Sequence, residues 1–398
     1  MSTQQQSPEQ RTDTPTREPK IRLDKVGKTY PGTKVAAVEE LSLDIHEGEI
    51  LVLVGPSGCG KSTTLRLINR MIEPSGGRIL LDGEDVTKVN PDKLRRRIGY
   101  VIQQIGLFPH QTIAQNIETV PRMLGWDKQK AKARSEELLG MVGLDPERYR
   151  DSYPKALSGG QAQRVGVARA LGADPDIMLM DEPFGAIDPI TRERLQNEFL
   201  RLQGELRKTI VFVTHDIDEA IKMGDKIAIL GERSTIRQID TPERILAYPV
   251  DDFVDDFIGT GSTIKGLNFL QVSSLALTDY PTLEPSSTPD AGRAALQDTG
   301  REWLVQLDEN RAPVRWIHAD DLDGTGDERG EPVGELLHSE DTLFHALELM
   351  VQSASGETCV VDGSGAFVGV VRMADLAKAI RRAQYEARMH YEQMERQS

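Results

Sequence analysis

The sequence predicts an α/β domain with a largely parallel sheet, followed by a small α+β domain that contains an internal repeat. Two observations support this prediction. Over residues 20–259, short continuous apolar runs alternate with amphipathic stretches, as expected for strands buried on both faces and the helices that cover them. Over residues 264–383, two stretches match each other at one constant spacing without a gap, which indicates two similar units packed together.

The first domain follows a tail of residues 1–19, which is rich in Gln, Thr, Ser and Pro and is expected to be disordered. Its continuous apolar runs predict strands at residues 50–54, 98–102, 177–180, 210–213 and 227–230. Its amphipathic stretches predict helices at residues 63–72, 131–142, 160–171 and 190–206. This alternation of strands and helices is typical of a parallel α/β sheet.

The second domain is predicted to hold two copies of one unit, at about residues 264–324 and 332–383. Each copy reads as helix, strand, turn, strand and the start of a helix. The positions that match include Asp308 with Asp362, Ile317 with Val371 and Asp321 with Asp375. A coincidence between two β-hairpins is the alternative to a true repeat. Residues 384–398 are expected to form a C-terminal tail.

Composition and charge narrow the class of protein. The 398 residues carry a formal net charge of -15, whereas nucleic-acid binding requires a basic surface, so nucleic acid is not expected as a partner. The two cysteines, Cys59 and Cys359, exclude a disulfide framework and fit a reducing cytosol. No apolar run reaches the roughly 20 residues of a membrane span, and no secretory signal is expected.

A glycine-rich loop after the first predicted strand fits the phosphate-binding pattern G-x-x-x-x-G-K-[ST]. Its residues are Gly55-Pro56-Ser57-Gly58-Cys59-Gly60-Lys61-Ser62, with Thr63 next in the helix. Glycines let backbone N–H groups turn toward phosphate oxygens, and the helix N-terminus adds positive potential. Lys61 is expected to contact the β- and γ-phosphates of ATP, and Ser62 to bind Mg²⁺. The alternative is a glycine-rich turn with an incidental lysine. Cys59 is expected to be a small buried residue rather than a nucleophile.

Polar side chains end three other predicted strands, at the edge where parallel sheets bind ligands. Asp181 suits Mg²⁺ coordination, and the adjacent Glu182 suits the general base that polarises the attacking water. His215 ends a second strand and is expected at the γ-phosphate, although a lone histidine is more often a surface or cap residue. Gln103 and Gln104 end a third strand, and these residues alone do not decide which of them would touch Mg²⁺ or the water.

A second anion site is predicted at Leu157-Ser158-Gly159-Gly160-Gln161, which opens a predicted helix. Ser158 can cap this helix, and the two glycines leave N–H groups of its first turn exposed. Capping alone is the alternative, because Ser-Gly-Gly before a helix is a common pattern. The order of the motifs favours the anion site: phosphate loop, Gln, Leu-Ser-Gly-Gly-Gln, Asp-Glu and then His.

In this order the motifs resemble those of ABC nucleotide-binding domains over residues 21–258. The resemblance implies a P-loop NTPase that works as a head-to-tail homodimer, in which Ser158 and Gly160 of one subunit contact the ATP held by Lys61 of the other. It also implies that Tyr30 stacks on adenine and that Asp188 lies in the loop that crosses between subunits.

The same resemblance concerns the glutamine and the membrane partner. Gln103 is the better match for the family glutamine, because LFPH follows it at the usual distance. The segment from there to about Trp126 would then face an integral-membrane permease.

A narrower resemblance is to importers of the osmoprotectants glycine betaine, choline, carnitine and proline betaine. It rests on NRMIEP at residues 69–74 and IGYVIQQIGLFPH at residues 98–110. The C-terminal repeat is similar to a tandem CBS pair, less clearly in its first copy, where Arg315-Trp316 stands against Gly369-Val370. The resemblance implies a peripheral ATPase on the cytoplasmic face of the cell membrane, an extracytoplasmic substrate-binding protein, and an adenine nucleotide such as cyclic di-AMP as a ligand of the CBS-like pair.

Three alternatives stand beside this hypothesis: import of another solute such as amino acids or polyamines, a soluble ABC ATPase without a transport role, and a sensor that scarcely hydrolyses its nucleotide. Intact Glu182 and His215 disfavour the sensor, and the acidic charge disfavours a DNA-directed ATPase. For the CBS-like pair, the alternative is a domain that only stabilises the dimer.

Overall fold

The structure is a computed structural model that describes residues 18–102, 106–185, 187–277, 279–323 and 330–396. Its contacts divide the chain into a first unit that ends at Pro242 and a second unit that starts at Glu243. The predicted limits of the ATPase domain and of the repeats stay predictions, and most of the predicted N-terminal tail lies outside the described residues. Within the ranges described, no helix combines the length and apolar character that a membrane span requires.

The first unit alternates strands and helices along the chain. Its strands are β1 (Ile21–Lys28), β2 (Val38–Ile45), β3 (Ile50–Val54), β4 (Gly76–Leu81), β5 (Glu84–Asp85), β6 (Ile98–Val101), β7 (Ile177–Asp181), β8 (Thr209–Thr214), β9 (Lys226–Leu230) and β10 (Ile236–Asp240). Its helices are α1 (Lys61–Ile68), α2 (Pro91–Arg96), α3 (Ile113–Ile117), α4 (Thr119–Met123), α5 (Lys128–Met141), α6 (Pro146–Tyr149), α7 (Gly159–Leu171), α8 (Pro189–Leu206) and α9 (Ile217–Met223). Short 3-10 turns occur at Pro154–Ala156 and Glu232–Ser234.

The central sheet of this unit has the strand order β10-β9-β3-β8-β7-β6 and is parallel from β9 to β6. Every residue of β3, β7 and β8 is buried, which explains the continuous apolar runs in the sequence. A second, antiparallel sheet, β2-β1-β4-β5, shares a hydrophobic core with β3 and α1. Because β3, β8, β7 and β6 are parallel, their carboxyl ends meet at one edge. The α/β fold predicted for the first domain is confirmed.

The helix after the phosphate loop is shorter than the predicted 63–72. It ends at Ile68, and Arg70 takes a left-handed backbone with φ 46°. The guanidinium of Arg70 donates hydrogen bonds to the carbonyl oxygens of Val86 and Val89, which hold this turn away from the helix axis. These partners are distant in sequence, so helical periodicity did not reveal where the helix ends.

The second unit contains the repeat. Its helices are α10 (Pro242–Ala247, at the junction), α11 (Asp252–Ile258), α12 (Ser262–Gly266), α13 (Pro289–Thr299), α14 (Leu343–Gln352) and α15 (Met373–Glu395). Its strands are β11 (Thr282–Leu283), β12 (Trp303–Leu307), β13 (Pro313–His318), β14 (Glu331–Pro332), β15 (Thr358–Val361) and β16 (Phe367–Val371). Short 3-10 turns occur at Leu267–Phe269, Val272–Ser274 and Ala319–Asp321.

Both copies of the repeat are built from the same elements, α13-β12-β13 and α14-β15-β16. In each hairpin turn an aspartate Oδ1, of Asp308 or Asp362, accepts hydrogen bonds from the N–H groups two and four residues later. The matching position with positive φ is Arg311 at 63° in the first turn and Gly365 at 85° in the second. The copies differ after the hairpin, because β13 leads into one 3-10 turn and β16 into the 23 residues of α15.

Trp316 explains why the first copy departs from the second. Its side chain is fully buried, and its ring meets that of Tyr280 edge to face with centroids 5.7 Å apart. Both rings belong to a hydrophobic cluster that also contains Cys359 and Val370 from the second copy. The departure therefore fills the core between the copies.

Candidate nucleotide site

The phosphate loop joins β3 to α1 in a conformation that glycine adopts without strain. Gly55 has φ 157° and Gly60 has φ 112°. A Cβ on Gly55 would lie 2.3 Å from the carbonyl oxygen of Leu230, and one on Gly60 would lie 2.2 Å from Oγ of Ser234. Ser234 is fully buried, and its backbone N–H donates a hydrogen bond of 2.6 Å to the carbonyl of Cys59. Ser234 thus supports the loop from a distant part of the chain, and no sequence motif pointed to it.

Lys61 lies inside this loop and is only 6% exposed. Its Nζ donates hydrogen bonds to the carbonyl oxygens of Gly55 at 2.6 Å and Pro56 at 2.9 Å. The thiol sulfur of Cys59, which is buried, lies 3.8 Å from the same Nζ. The ammonium is therefore held within the curl of backbone whose N–H groups could bind a phosphate.

Ser62 and Asp181 bring two oxygen donors together at the edge of the sheet. Oγ of Ser62 donates a hydrogen bond of 2.8 Å to Oδ1 of Asp181, which joins the start of α1 to the end of β7. Burial raises the pKa of the Asp181 carboxyl, the hydrogen bond from Ser62 opposes this rise, and the charge of Glu182 adds to it. A hydroxyl beside a carboxylate is the kind of ligand pair that Mg²⁺ prefers, and a cation there would offset the cost of the buried charge.

Glu182 and His215 lie side by side at the ends of β7 and β8. Nδ1 of His215 is 3.1 Å from Oε1 of Glu182. Glu182 has φ 45°, and its N–H donates a hydrogen bond of 3.0 Å to the carbonyl of Val213 in β8. This contact fixes the strand end, so both side chains leave the same edge that carries the phosphate loop. A carboxylate and an imidazole in contact can share the transfer of one proton.

The Leu-Ser-Gly-Gly-Gln segment begins α7. Oγ of Ser158 accepts a hydrogen bond from the N–H of Gln161, and Oε1 of Gln161 accepts one from the N–H of Ser158. The side-chain amide of Gln161 also donates to the hydroxyl of Tyr149 at 3.1 Å. Capping is thus present, while Ser158 and Gly159 are exposed at the surface. The role of this segment as an anion site stays a prediction.

Three further predicted residues are Asp188, Tyr30 and Gln103. Asp188 caps α8, because its Oδ1 accepts a hydrogen bond of 3.0 Å from the N–H of Thr191, and its hydrogen bonds with Thr191 lower the pKa of the carboxyl. Tyr30 follows β1, and Nζ of Lys28 lies 5.3 Å from the centre of its ring. Gln103 lies outside the described residues, so its contact with Mg²⁺ or water stays a prediction.

A buried polar contact near His215 was missed by the sequence analysis. Nε2 of Gln196 in α8 donates a hydrogen bond of 3.0 Å to Oε1 of Glu219 in α9. Both residues are buried, and burial raises the pKa of Glu219. In the sequence they look like polar residues on the solvent side of amphipathic helices. The one available signal was the position of Glu219, four residues after His215.

The chain is similar to known proteins over most of its length. A model of the ABC transporter family matches residues 38–185, and a model of the CBS domain matches residues 335–382. The glycine betaine/carnitine/choline transport ATP-binding protein OpuCA of Bacillus subtilis is 58% identical, over 90% of this chain and 96% of its own. The osmoprotectant import ATP-binding protein OsmV of Salmonella typhimurium is 44% identical, over 88% of this chain and 94% of its own.

A solved structure extends the comparison to the fold. MJ0796, a bacterial ABC transporter cassette solved as a dimer, has 36% sequence identity and a TM-score of 0.51 and covers 56% of this chain and 98% of its own. The ABC family match includes Lys61, Ser158 and Glu182, and the CBS match falls on the second copy of the repeat, where the resemblance is clearer. The chain belongs to the family of ABC transporter ATP-binding subunits and carries a CBS domain at residues 335–382.

Proposed function

We propose that this chain hydrolyses ATP to drive an importer of quaternary-amine osmoprotectants, with glycine betaine, choline, carnitine or proline betaine as the solute. The observation that carries the hydrolytic part is that the phosphate loop, Glu182 and His215 follow the three adjacent parallel strands β3, β7 and β8. The solute class is supported by the names of two relatives that are 58% and 44% identical over nearly their whole length.

In this mechanism the chain first binds the nucleotide. The ammonium of Lys61 and the N–H groups of residues 55–63, apart from Pro56, which has none, bind the β- and γ-phosphates, and Tyr30 stacks on the adenine. Ser62, Asp181 and Gln103 would hold Mg²⁺, which supplies charge neutralisation at the phosphate oxygens when it is bound.

Glu182 and His215 then act on the attacking water. Glu182 accepts a proton from this water as it approaches the γ-phosphate. His215, held 3.1 Å from Glu182, contacts the γ-phosphate and keeps the carboxylate in place. Contact between the two groups would reduce the reorganisation that the transition state requires.

The second half of each nucleotide site is proposed to come from a second copy of the chain. The exposed start of α7, with Ser158, Gly159, Gly160 and Gln161, presents N–H groups and a positive helix end to an anion. Asp188 would lie in the loop that meets the partner. The dimeric cassette MJ0796 supports this pairing. Hydrolysis would then release the two copies and so drive the permease.

The permease contact is proposed for the segment between Gln103 and Trp126. Three apolar side chains of this segment, Phe108, Met123 and Leu124, are exposed to solvent. Met123 and Leu124 are adjacent, and two neighbouring apolar side chains in solvent fit contact with a partner protein. Bound there, the chain would work at the cytoplasmic face of the cell membrane, and an extracytoplasmic substrate-binding protein would deliver the solute to the permease.

The CBS-like pair is proposed to regulate transport. The match to the CBS domain supports this role, and an adenine nucleotide such as cyclic di-AMP is the proposed ligand. Trp316 fills the core between the copies, which also fits the alternative of a pair that only stabilises the dimer. The same ligand tests this alternative. Cyclic di-AMP should inhibit uptake if the pair is regulatory and leave uptake unchanged if it is not.

Uptake in proteoliposomes tests the proposed function. The transporter is reconstituted with its permease and binding protein, and ATP-dependent uptake of labelled glycine betaine, choline, a polyamine and an amino acid is compared. We expect uptake of the quaternary amines alone, and none with Glu182→Gln. Uptake of the polyamine or amino acid instead would replace the proposed solute class, and ATP hydrolysis without binding to any permease would overturn the transport role.

A further inference from the structure

One side chain contacts both loops that the proposed mechanism places on either side of the reaction. Arg192 lies in the first turns of α8. Its Nη2 donates a hydrogen bond of 3.0 Å to the carbonyl oxygen of Ile187, the residue before Asp188. Its Nη1 lies 3.9 Å from Oδ2 of Asp216, the residue after His215. A guanidinium is planar and rigid, so one group that contacts two partners limits the distance between them.

A second contact lies one turn further along the same helix. Gln196 donates its hydrogen bond to Glu219, and the two residues are only 5% and 7% exposed. The N–H of Glu219 donates to Oδ1 of Asp216, and the Glu219 carboxylate also hydrogen-bonds the side chain of Thr214. Both neighbours of His215 in the chain are therefore connected to α8.

The Asp188 loop is joined to the start of α8 by two hydrogen bonds. Oδ1 of Asp188 caps α8, and the N–H of Arg192 donates a hydrogen bond of 2.8 Å to the carbonyl of Asp188. The loop that carries Asp188 is thus continuous with the helix that holds the His215 loop. Through these hydrogen bonds and the ion pair of Arg192, α8 connects the Asp188 loop to the His215 loop.

We propose that Arg192 and Gln196 are positioning residues that keep the Asp188 loop and the His215 loop in register. This inference rests on the proposed function, in which His215 meets the γ-phosphate and Asp188 meets the partner subunit. Loss of the γ-phosphate at His215 then alters the subunit boundary through Arg192, and each site of the dimer responds to the state of the other. The ion pair with Asp216 is long and partly exposed, so it contributes little to folding stability. Its proposed role is to position the two loops.

The test compares Arg192→Ala with Arg201→Ala in the full-length chain. Arg201 is a matched control, because it lies on the same helix and forms exposed ion pairs with Glu198 and Glu205 far from both loops in sequence. We expect Arg192→Ala to lower kcat by roughly ten- to a hundredfold, as misplaced reacting groups do, with ATP affinity and melting temperature close to those of Arg201→Ala. The Hill coefficient of hydrolysis against ATP should fall toward 1, and Arg192→Lys should restore only part of kcat.

Three further variants, at Asp216, His215 and Asp188, separate a failure of this inference from a failure of the proposed function. Asp216→Asn keeps the Oδ1 cap of α9 but removes the charge, so a double-mutant cycle with Arg192→Ala should show non-additive losses of kcat. If Arg192→Ala matches Arg201→Ala in kcat and Hill coefficient while His215→Ala is inactive, the positioning role is wrong and the proposed function stands. If His215→Ala and Asp188→Ala both keep full activity, the proposed function itself fails.

Discussion

Nδ1 of His215 lies 3.1 Å from Oε1 of Glu182, although the two residues are 33 positions apart in the chain. They meet because β7 and β8 are adjacent and parallel, and each side chain follows the last residues of its strand. The distance is short enough for a hydrogen bond, which orients the carboxylate of Glu182.

Replacing Glu182 with Gln should remove the base and keep the binding groups. We expect kcat to fall by roughly a hundredfold or more, the usual contribution of a general base, while ATP still binds and holds two copies together. Phosphate release measures the first effect, and size-exclusion chromatography with ATP measures the second. Hydrolysis at the unmodified rate would show that another group is the base.

Replacing Ser62 with Ala should weaken the binding of Mg²⁺. The variant removes the hydroxyl that contacts Asp181 at 2.8 Å. We expect the Mg²⁺ concentration that gives half of the maximal effect on ATP binding to rise roughly tenfold or more. ATP binding in EDTA provides an internal control, because there the variant and the unmodified chain should be equal. An identical Mg²⁺ dependence would contradict the assignment of Ser62 as a ligand.

Replacing Glu219 with Gln should stabilise the chain at neutral pH. Burial raises the folded-state pKa of Glu219 above its unfolded value, so the folded state binds the proton more tightly and loses stability as pH rises through this window. Gln keeps an oxygen that can accept the hydrogen bond from Gln196 and carries no charge. We expect a higher melting temperature than the unmodified chain at pH 7, with a difference that shrinks as pH falls toward the ordinary carboxyl pKa. A difference that grows in acid would contradict the stated cause.

Two glycines of the second hairpin turn should respond differently to Ala. Gly365 has φ 85° and Gly363 has no positive φ, and among the residues that the structure describes a Cβ on either would meet no atom within 4 Å. Backbone strain therefore separates them: Gly365→Ala should cost about 1 kcal/mol of unfolding free energy, and Gly363→Ala should cost much less. Chemical denaturation of both variants measures the difference. Equal losses would mean that the turn relaxes around the new side chain.

The fold class and the motifs could be predicted because they depend on local patterns. The strands β3, β7 and β8 are buried along their whole length, so their sequences are continuously apolar, and the residues that end them stand out. The ungapped spacing between Asp308 and Asp362 likewise predicted the repeat, and the two residues form matching turns. The roles of the site residues stay predictions that the experiments above address.

Other features depend on contacts between distant parts of the chain. The end of α1 is set by Arg70 and carbonyl groups beyond the helix, and the phosphate loop is supported by Ser234. Gln196 and Glu219 resemble surface residues in the sequence because a helical pattern does not show which polar side chains face each other. Such pairs become visible only when the packing of the helices is known.

The two carbonyl groups that hold the Lys61 ammonium have a consequence for the choice of nucleotide. The carbonyl oxygens of Gly55 and Pro56 already accept hydrogen bonds from this ammonium, so a ligand must displace them to bind it. A triphosphate carries several negative charges and displaces these two neutral carbonyl groups. An uncharged nucleoside does not displace them. The loop should therefore discriminate by ligand charge, and adenosine should be a poor competitor of ATP even though it carries the same base.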